Sequence, residues 1–288
     1  MEELNLNIAE PVFLRNLVIY PIKNGSGNGE FIPSTIDEVI DNNKGEFREL
    51  NIPDVNKILF DNRGDQPVLM IDGEEITGSL QNRIIARSSI VEAHLKSNIP
   101  VICAEQGRWE EIGGFRTGYC SYPRLRSILA VSLHKKIDTQ HEVWKEIERK
   151  LTVTKTISKT SSMHEIYENL NDEVERYLEG FEGLNGKTSG FIGVAGNRIL
   201  GCDIFATPAI YQKFERKLLR SYALDAIEYQ RSRGLTTEVN DFFEKLQSTF
   251  VNLNDKTLSG NKRLKGKEFL GQVLYHKNKP VHLSAFPA

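Results

Sequence analysis

Two short stretches concentrate the side chains that could do chemistry. The first, Asp72-Gly73-Glu74-Glu75-Ile76-Thr77-Gly78-Ser79-Leu80-Gln81-Asn82-Arg83, follows directly on the apolar run Val68-Leu69-Met70-Ile71. Carboxylates, amides and a guanidinium at the end of a rigid strand form a ligand edge; the competing reading is a solvated hairpin turn. The second, Cys103-Ala104-Glu105-Gln106-Gly107-Arg108-Trp109, closes the apolar run Ile99–Ala104 with an acid, an amide, a guanidinium and one of the 2 Trp residues. Glu105 could act as acid or base or orient Arg108, and Trp109 could stack on a base or sugar. A structural ion pair capped by a core Trp is the alternative, because such pairs also shift pKa values. Glu74 and Glu75 are neighbours on a strand and point to opposite faces, which disfavours a glycosidase carboxylate pair.

Other candidates are more isolated. Asp203 stands on the mostly apolar strand Ile199–Phe205, so its carboxylate either points outward by alternation or is held inward by a partner. His282 and Ser284 share one face of the run Val281–Phe286, which is either the wet side of a sheet or the lining of a cleft. His134, His141 and His164 occupy helical or capping surroundings and read most simply as solvated. No HxH, HExxH or carboxylate–His cluster occurs, so neither a metal nor any other cofactor is expected. The glycines of 193–201 resemble a phosphate loop but lack the GK[ST] ending, and a hairpin turn explains them better.

The elements that must hold these groups follow from composition and periodicity. The 288 residues carry 37 Lys+Arg against 39 Asp+Glu, a net charge of −2 that gives no electrostatic reason to expect a nucleic acid or an anionic membrane as partner. The 3 Cys, at positions 103, 120 and 202, show no CxxC spacing. They fit a reducing compartment and buried thiols rather than a disulfide scaffold. Met1-Glu2-Glu3-Leu4-Asn5 carries acid where a secretory signal carries base, and no apolar run approaches the ~20 residues of a membrane span, so a cytoplasmic location is expected.

Short runs rich in Val, Ile, Leu and Phe fill the first ~120 residues. They are Val12–Ile22, Phe47–Ile52, Lys57–Asn62, Val68–Ile71, Ile84–His94 and Ile99–Ala104, broken by turn chemistry such as Asn24–Gly29. One helix interrupts them, capped at Ser34-Thr35. From 123 to 182 the period becomes 3.6, with capping boxes expected at Thr139/Glu142 and Ser162/Glu165. A hairpin at 191–205, a helix opened by Thr207-Pro208, a short helix Val239–Leu246, a Gly- and Lys-rich stretch at Leu258–Gly266 and two last strands complete the chain. This pattern predicts an α+β protein: a β-rich sandwich or partial barrel over 1–122, packed with a helical and α/β part over 123–288 as one compact unit.

At the same residues the sequence resembles the ADP-ribosylglycohydrolase (ARG) and rhodanese-phosphatase-superfamily-associated protein domain. The resemblance rests on Asp72–Glu75, Gly78, Gln81–Arg83, Ile99–Trp109, Gly201–Phe205, Leu218–Ala226 and His282–Phe286, and it covers nearly the whole chain. It departs at Ser79-Leu80, where the family pattern carries a small residue and then Lys; Leu80 removes a cation that could have met a phosphate. The resemblance implies a role in handling NAD-derived metabolites, and a hydrolase or transferase if the protein is an enzyme. On that basis the expected partner is a small-molecule, ADP-ribose-like nucleotide derivative. Glu74, Glu75, Glu105, Asp203 and His282 are then the catalytic candidates, with Gln81, Asn82, Arg83, Arg108, Trp109, Ser221 and Ser284 as ligand contacts. The rival expectation is a non-catalytic module in which the same groups form an ion-paired lattice.

Overall fold

A computed structural model describes residues 6–24, 31–229, 238–253 and 259–288, so the expected turn at 25–29 lies outside the described residues. The chain is α+β and divides into two compact units whose segments interleave. The first draws on Met1–Ile32, Tyr122–Lys136 and Asp172–Ala288; the second on Pro33–Ser121 and Ile137–Asn171. The chain crosses between them at Ile32/Pro33, Ser121/Tyr122, Lys136/Ile137 and Asn171/Asp172.

The first unit is built on one antiparallel sheet. Its strands run in the order Leu6–Ile8, Leu17–Asn24, Thr188–Ala195, Arg198–Phe205, Lys279–Pro287, Phe269–His276 and Gly260–Lys265, with Val12–Leu14 also paired to Leu17–Asn24. Two of its hairpins close through residue pairs that both take positive φ, Gly196-Asn197 and Lys277-Asn278. That is the tight turn whose twist matches the strands it joins. Alternation then sorts the side chains. Ile192, Val194, Cys202, Ile204, Leu283 and Ala285 join Phe242, Phe243 and Leu246 of helix Val239–Val251 in one core on one face. The opposite face meets helices Pro208–Ala226 and Pro123–His134: Phe191 packs on Tyr222, Phe205 on Phe214, and the Arg126 guanidinium lies over Phe286. Helix Pro208–Ala226 begins as the sequence dictates, with the Thr207 hydroxyl accepting from the Ile210 N–H and Pro at the first turn.

The second unit holds two sheets. Six antiparallel strands lie in the order Arg116–Cys120, Glu74–Thr77, Arg83–Ile85, Lys96–Cys103, Lys57–Asn62 and Gly45–Arg48. A small sheet of Ser89–Val91, Val68–Met70 and Ser34–Thr35 completes it, its last pairing parallel. Ile58, Phe60, Val68, Met70, Ile76, Ile85 and Val101 form its core with Ile36 and Val39 of helix Ile36–Asp41. That helix carries a full capping box between Thr35 and Glu38.

Several boundaries differ from the sequence reading for local reasons. The run Val12–Ile22 breaks at Arg15, whose positive φ turns the chain between two strands. Ile84–His94 is two short strands, and the Gly- and Lys-rich stretch holds the strand Gly260–Lys265. Helix Thr139–Thr154 is capped by Asp138, one residue earlier than expected, whose carboxylate accepts from the His141 N–H at 3.1 Å. Ser162 does precede helix Met163–Asn169, yet its hydroxyl caps nothing, because it accepts instead from Asn82 Nδ2 at 3.3 Å.

Candidate functional site

The candidate residues fall into two groups, one in each unit. In the first unit, Asp203 is held inward rather than outward. Arg126 grips it with two parallel bonds of 2.7 and 2.8 Å, Tyr222 donates its hydroxyl at 2.9 Å, and His282 Nε2 lies 3.1 Å from the other oxygen. Asp203 and Arg126 are wholly buried, and His282 is 1% exposed. The face carrying His282 and Ser284 is therefore not the wet side of the sheet; two helices cover it. Burial alone would raise the Asp203 carboxyl, but the Arg126 charge and the bonds from His282 and Arg126 outweigh it and hold it far below the usual carboxylate range. A bidentate Arg–carboxylate pair with both acceptor oxygens filled and sealed from solvent is a scaffold. Ser221 is likewise buried and donates to the Leu218 carbonyl at 2.8 Å, a helix back-bond. Ser284 is buried in register with Asp203.

In the second unit the two sequence stretches do come together. Asn82 and Glu105 end neighbouring strands, and their loops lock through Arg108. Its Nε donates to Glu105 Oε2 at 3.0 Å, Nη1 to the carbonyls of Ser79 at 2.5 Å and Glu110 at 2.7 Å, and Nη2 to Asn82 Oδ1 at 3.2 Å. Glu105 also accepts the Asn82 N–H at 3.1 Å and the Thr160 hydroxyl at 2.7 Å. Burial pushes its carboxyl up, but Arg108, Thr160 and Asn82 outweigh that and leave it lowered. An ionised, bonded carboxylate of this kind is no proton donor near neutrality. Gln81 is spent between the Glu105 carbonyl at 2.9 Å and the Cys103 thiol at 2.7 Å. Burial raises that thiol to about 11, so Cys103 is no nucleophile. Glu74 accepts the Ile71 N–H at 2.8 Å.

Two edges of this lattice keep unfilled capacity. Arg83, wholly buried, donates to the Asp54 carbonyl at 2.9 Å and to Glu49 at 3.1 Å, while its Nε and the second oxygen of Glu49 have no hydrogen-bond partner. Above it the Trp109 ring is 51% exposed, with the guanidinium 5.9 Å from the ring centroid. At the other edge Glu75 Oε2 accepts from His164 Nδ1 at 2.8 Å. His164 is thus not the solvated residue its helical setting suggests. His134 is not free either, since its Nε2 meets the Gly271 carbonyl in the first unit at 3.0 Å.

Burial pushes the His164 imidazole down, but the bond and charge of Glu75, with Glu168 and Glu105, outweigh it and raise the folded-state pKa above 6.5. A raised folded value adds stability that is complete below about pH 6.5 and is lost as the pH climbs through the folded value. The difference in melting temperature between wild type and His164→Gln should therefore be largest near pH 6 and shrink towards pH 9. A constant difference would refute the pairing.

Sequence reasoning missed Arg126, Glu49 and His164. Arg126 has one local signal, a base on the same helical face as Leu129 and Ala130; Glu49 and His164 have none, since their partners lie 34 and 89 residues away. Among the described residues no three His, Cys, Asp or Glu converge on a point that could hold a metal, and no helix is long and apolar enough to cross a membrane.

Comparison with curated proteins finds no match, and neither does comparison with solved structures. A family model does match, over residues 5–286, and it spans both of the stretches that meet in the Glu105–Arg108 lattice and the strands around Asp203. The chain belongs to the family described as the ARG and Rhodanese-Phosphatase-superfamily-associated Protein domain.

Proposed function

We propose that the second unit binds a nucleotide-type metabolite, NAD-derived or ADP-ribose-like, and grips it by the nucleoside. The observation that carries this reading is the Trp109 ring, backed on one face by the buried Arg83 guanidinium and half exposed. A ring fixed by a cation on one side presents a flat, oriented platform for a base on the other. Beside it, Arg83 Nε and the second Glu49 oxygen are a buried donor and a buried acceptor without a hydrogen-bond partner. Arg108 has all three nitrogens engaged within the protein, so phosphates are not its task. The free, buried cysteines fit a reducing cytoplasmic setting for such a role.

Titration calorimetry with adenosine, AMP, ADP-ribose and NAD tests the reading. Binding should weaken about 5–150-fold in Trp109→Ala, the equivalent of ~1–3 kcal/mol of base stacking, with little change in melting temperature. Absence of heat for every ligand with a folded sample would sink it. A second reading, a non-catalytic interaction module, is favoured by the saturation of the Glu105–Arg108 lattice together with exposed Ile52, Val55 and Ile112 on the loops beside it. It predicts no nucleotide binding at all.

A further inference from the structure

Outside the Glu105 lattice, the second unit presents a buried carboxylate that steers a partly exposed imidazole. Glu75 sits on strand Glu74–Thr77 with its side chain wholly buried. One oxygen accepts from His164 Nδ1 at 2.8 Å and from the Tyr119 N–H at 3.2 Å; the other has no hydrogen-bond partner. Gly118 is required for this, because a Cβ there would collide with the Glu75 oxygen that His164 meets. The imidazole is steadied on a second side by the Tyr119 ring, 5.0 Å away and itself stacked on Tyr167 at 4.4 Å. With Nδ1 facing a carboxylate, the neutral ring carries its proton there and leaves a lone pair on Nε2. His164 keeps 27% of its side chain in solvent, and the nearest acid to Nε2 is the exposed Glu168, at 3.6 Å and beyond hydrogen-bond length.

We propose that His164 is the general base of an ester-hydrolysing site, with Glu75 as its positioning residue. Nε2 takes a proton from a water whose oxygen bonds to the ester carbonyl carbon, and the carbonyl π pair moves to its oxygen. As the tetrahedral adduct collapses, the C–O bond to the leaving group breaks with its electron pair on that oxygen, which takes the proton back from Nε2. Ester and water become acid and alcohol, and the neutral imidazole is restored. Other substrate classes fit less well. Phosphoryl transfer wants cationic clamps, and the Arg108 guanidinium has all three nitrogens committed to protein acceptors. Glycoside hydrolysis wants two carboxylates flanking the bond, whereas Glu75 is buried behind the imidazole it holds. The inference stands apart from the Trp109 reading, and nucleotide binding bears on neither its success nor its failure.

The charged groups facing His164 are Glu75, Glu168 and Glu105, all acidic, so its base form should dominate only on the alkaline side of 6.5. Hydrolysis of 4-nitrophenyl acetate by the full-length chain between pH 5.5 and 9 provides the test. Wild type should turn over faster than the buffer, with a rate that rises along a single ionisation above pH 6.5. His164→Asn should lose at least tenfold of the rate above buffer, while His141→Asn, which removes an exposed histidine of helix Thr139–Thr154, should retain it. Glu75→Gln should move the inflection to lower pH. Equal rates in wild type and His164→Asn would overturn the proposal, as would a wild-type rate no greater than the buffer's. Should His164→Asn fail to fold, an unshifted inflection in Glu75→Gln would overturn it equally.

Discussion

Replacing Asp203 with alanine should lower the unfolding free energy by about 3–5 kcal/mol, because it removes the counter-charge of the wholly buried Arg126. The guanidinium would lose both carboxylate bonds, and Tyr222 and His282 would lose the acceptor they share. For a chain of this size each kcal/mol moves the melting temperature by about 2–4 °C, so a fall of ~6–20 °C is expected in a thermal scan. The double change Arg126→Met with Asp203→Leu is the instructive companion. Removing both charges together removes the penalty as well, and it should recover most of the loss. A single variant that melts like wild type would show that Asp203 is not the hub of the first unit's interior.

Arg108→Ala should cost about 2–4 kcal/mol, and the loss should appear in the second unit. The alanine leaves Glu105 as a nearly buried carboxylate without its counter-charge and takes one donor each from the Ser79 and Glu110 carbonyls and from Asn82 Oδ1, which keeps only the Gly78 N–H. Lysine should not rescue it, since one ammonium cannot span acceptors arranged around a planar fork. Urea denaturation measures the loss, and hydrogen exchange at the amides of Gly78 and Asn82 should rise with it. The same variant separates two roles for Arg108. A residue kept for a ligand would weaken binding while leaving the unfolding midpoint in place.

Much of the fold was legible in the sequence because it rests on local rules. The apolar runs Phe191–Ala195 and Ile199–Phe205, the turn at Gly196-Asn197 and the start at Thr207-Pro208 each use information within a few residues. The family assignment was legible too, through stretches long enough to be specific. The environments of the site residues were not. Alternation places Asp203, His282 and Ser284 on a common face, but whether that face is wet depends on what lies over it, and Arg126 comes from 77 residues away. The same limit applies to Ser162. Its position before a helix is a capping signal, yet tertiary contact with Asn82, 80 residues distant, took the hydroxyl for another purpose. A tyrosine on an apolar helix stripe needs a buried partner for its hydroxyl, and for Tyr222 that partner is Asp203.

The interleaving of the two units sets a timetable for synthesis. Strand Leu17–Asn24 pairs early with its near neighbours Leu6–Ile8 and Val12–Leu14, but its other edge waits for Thr188–Ala195. At ~5–20 residues per second that wait is on the order of ten seconds or more, during which the long segment Pro33–Ser121 has left the ribosome. An open edge rich in Leu, Val and Ile is a template for pairing with the wrong chain. The first unit therefore carries its greatest aggregation hazard while it is being made, and a messenger truncated before the codon for Thr188 would leave that hazard permanent.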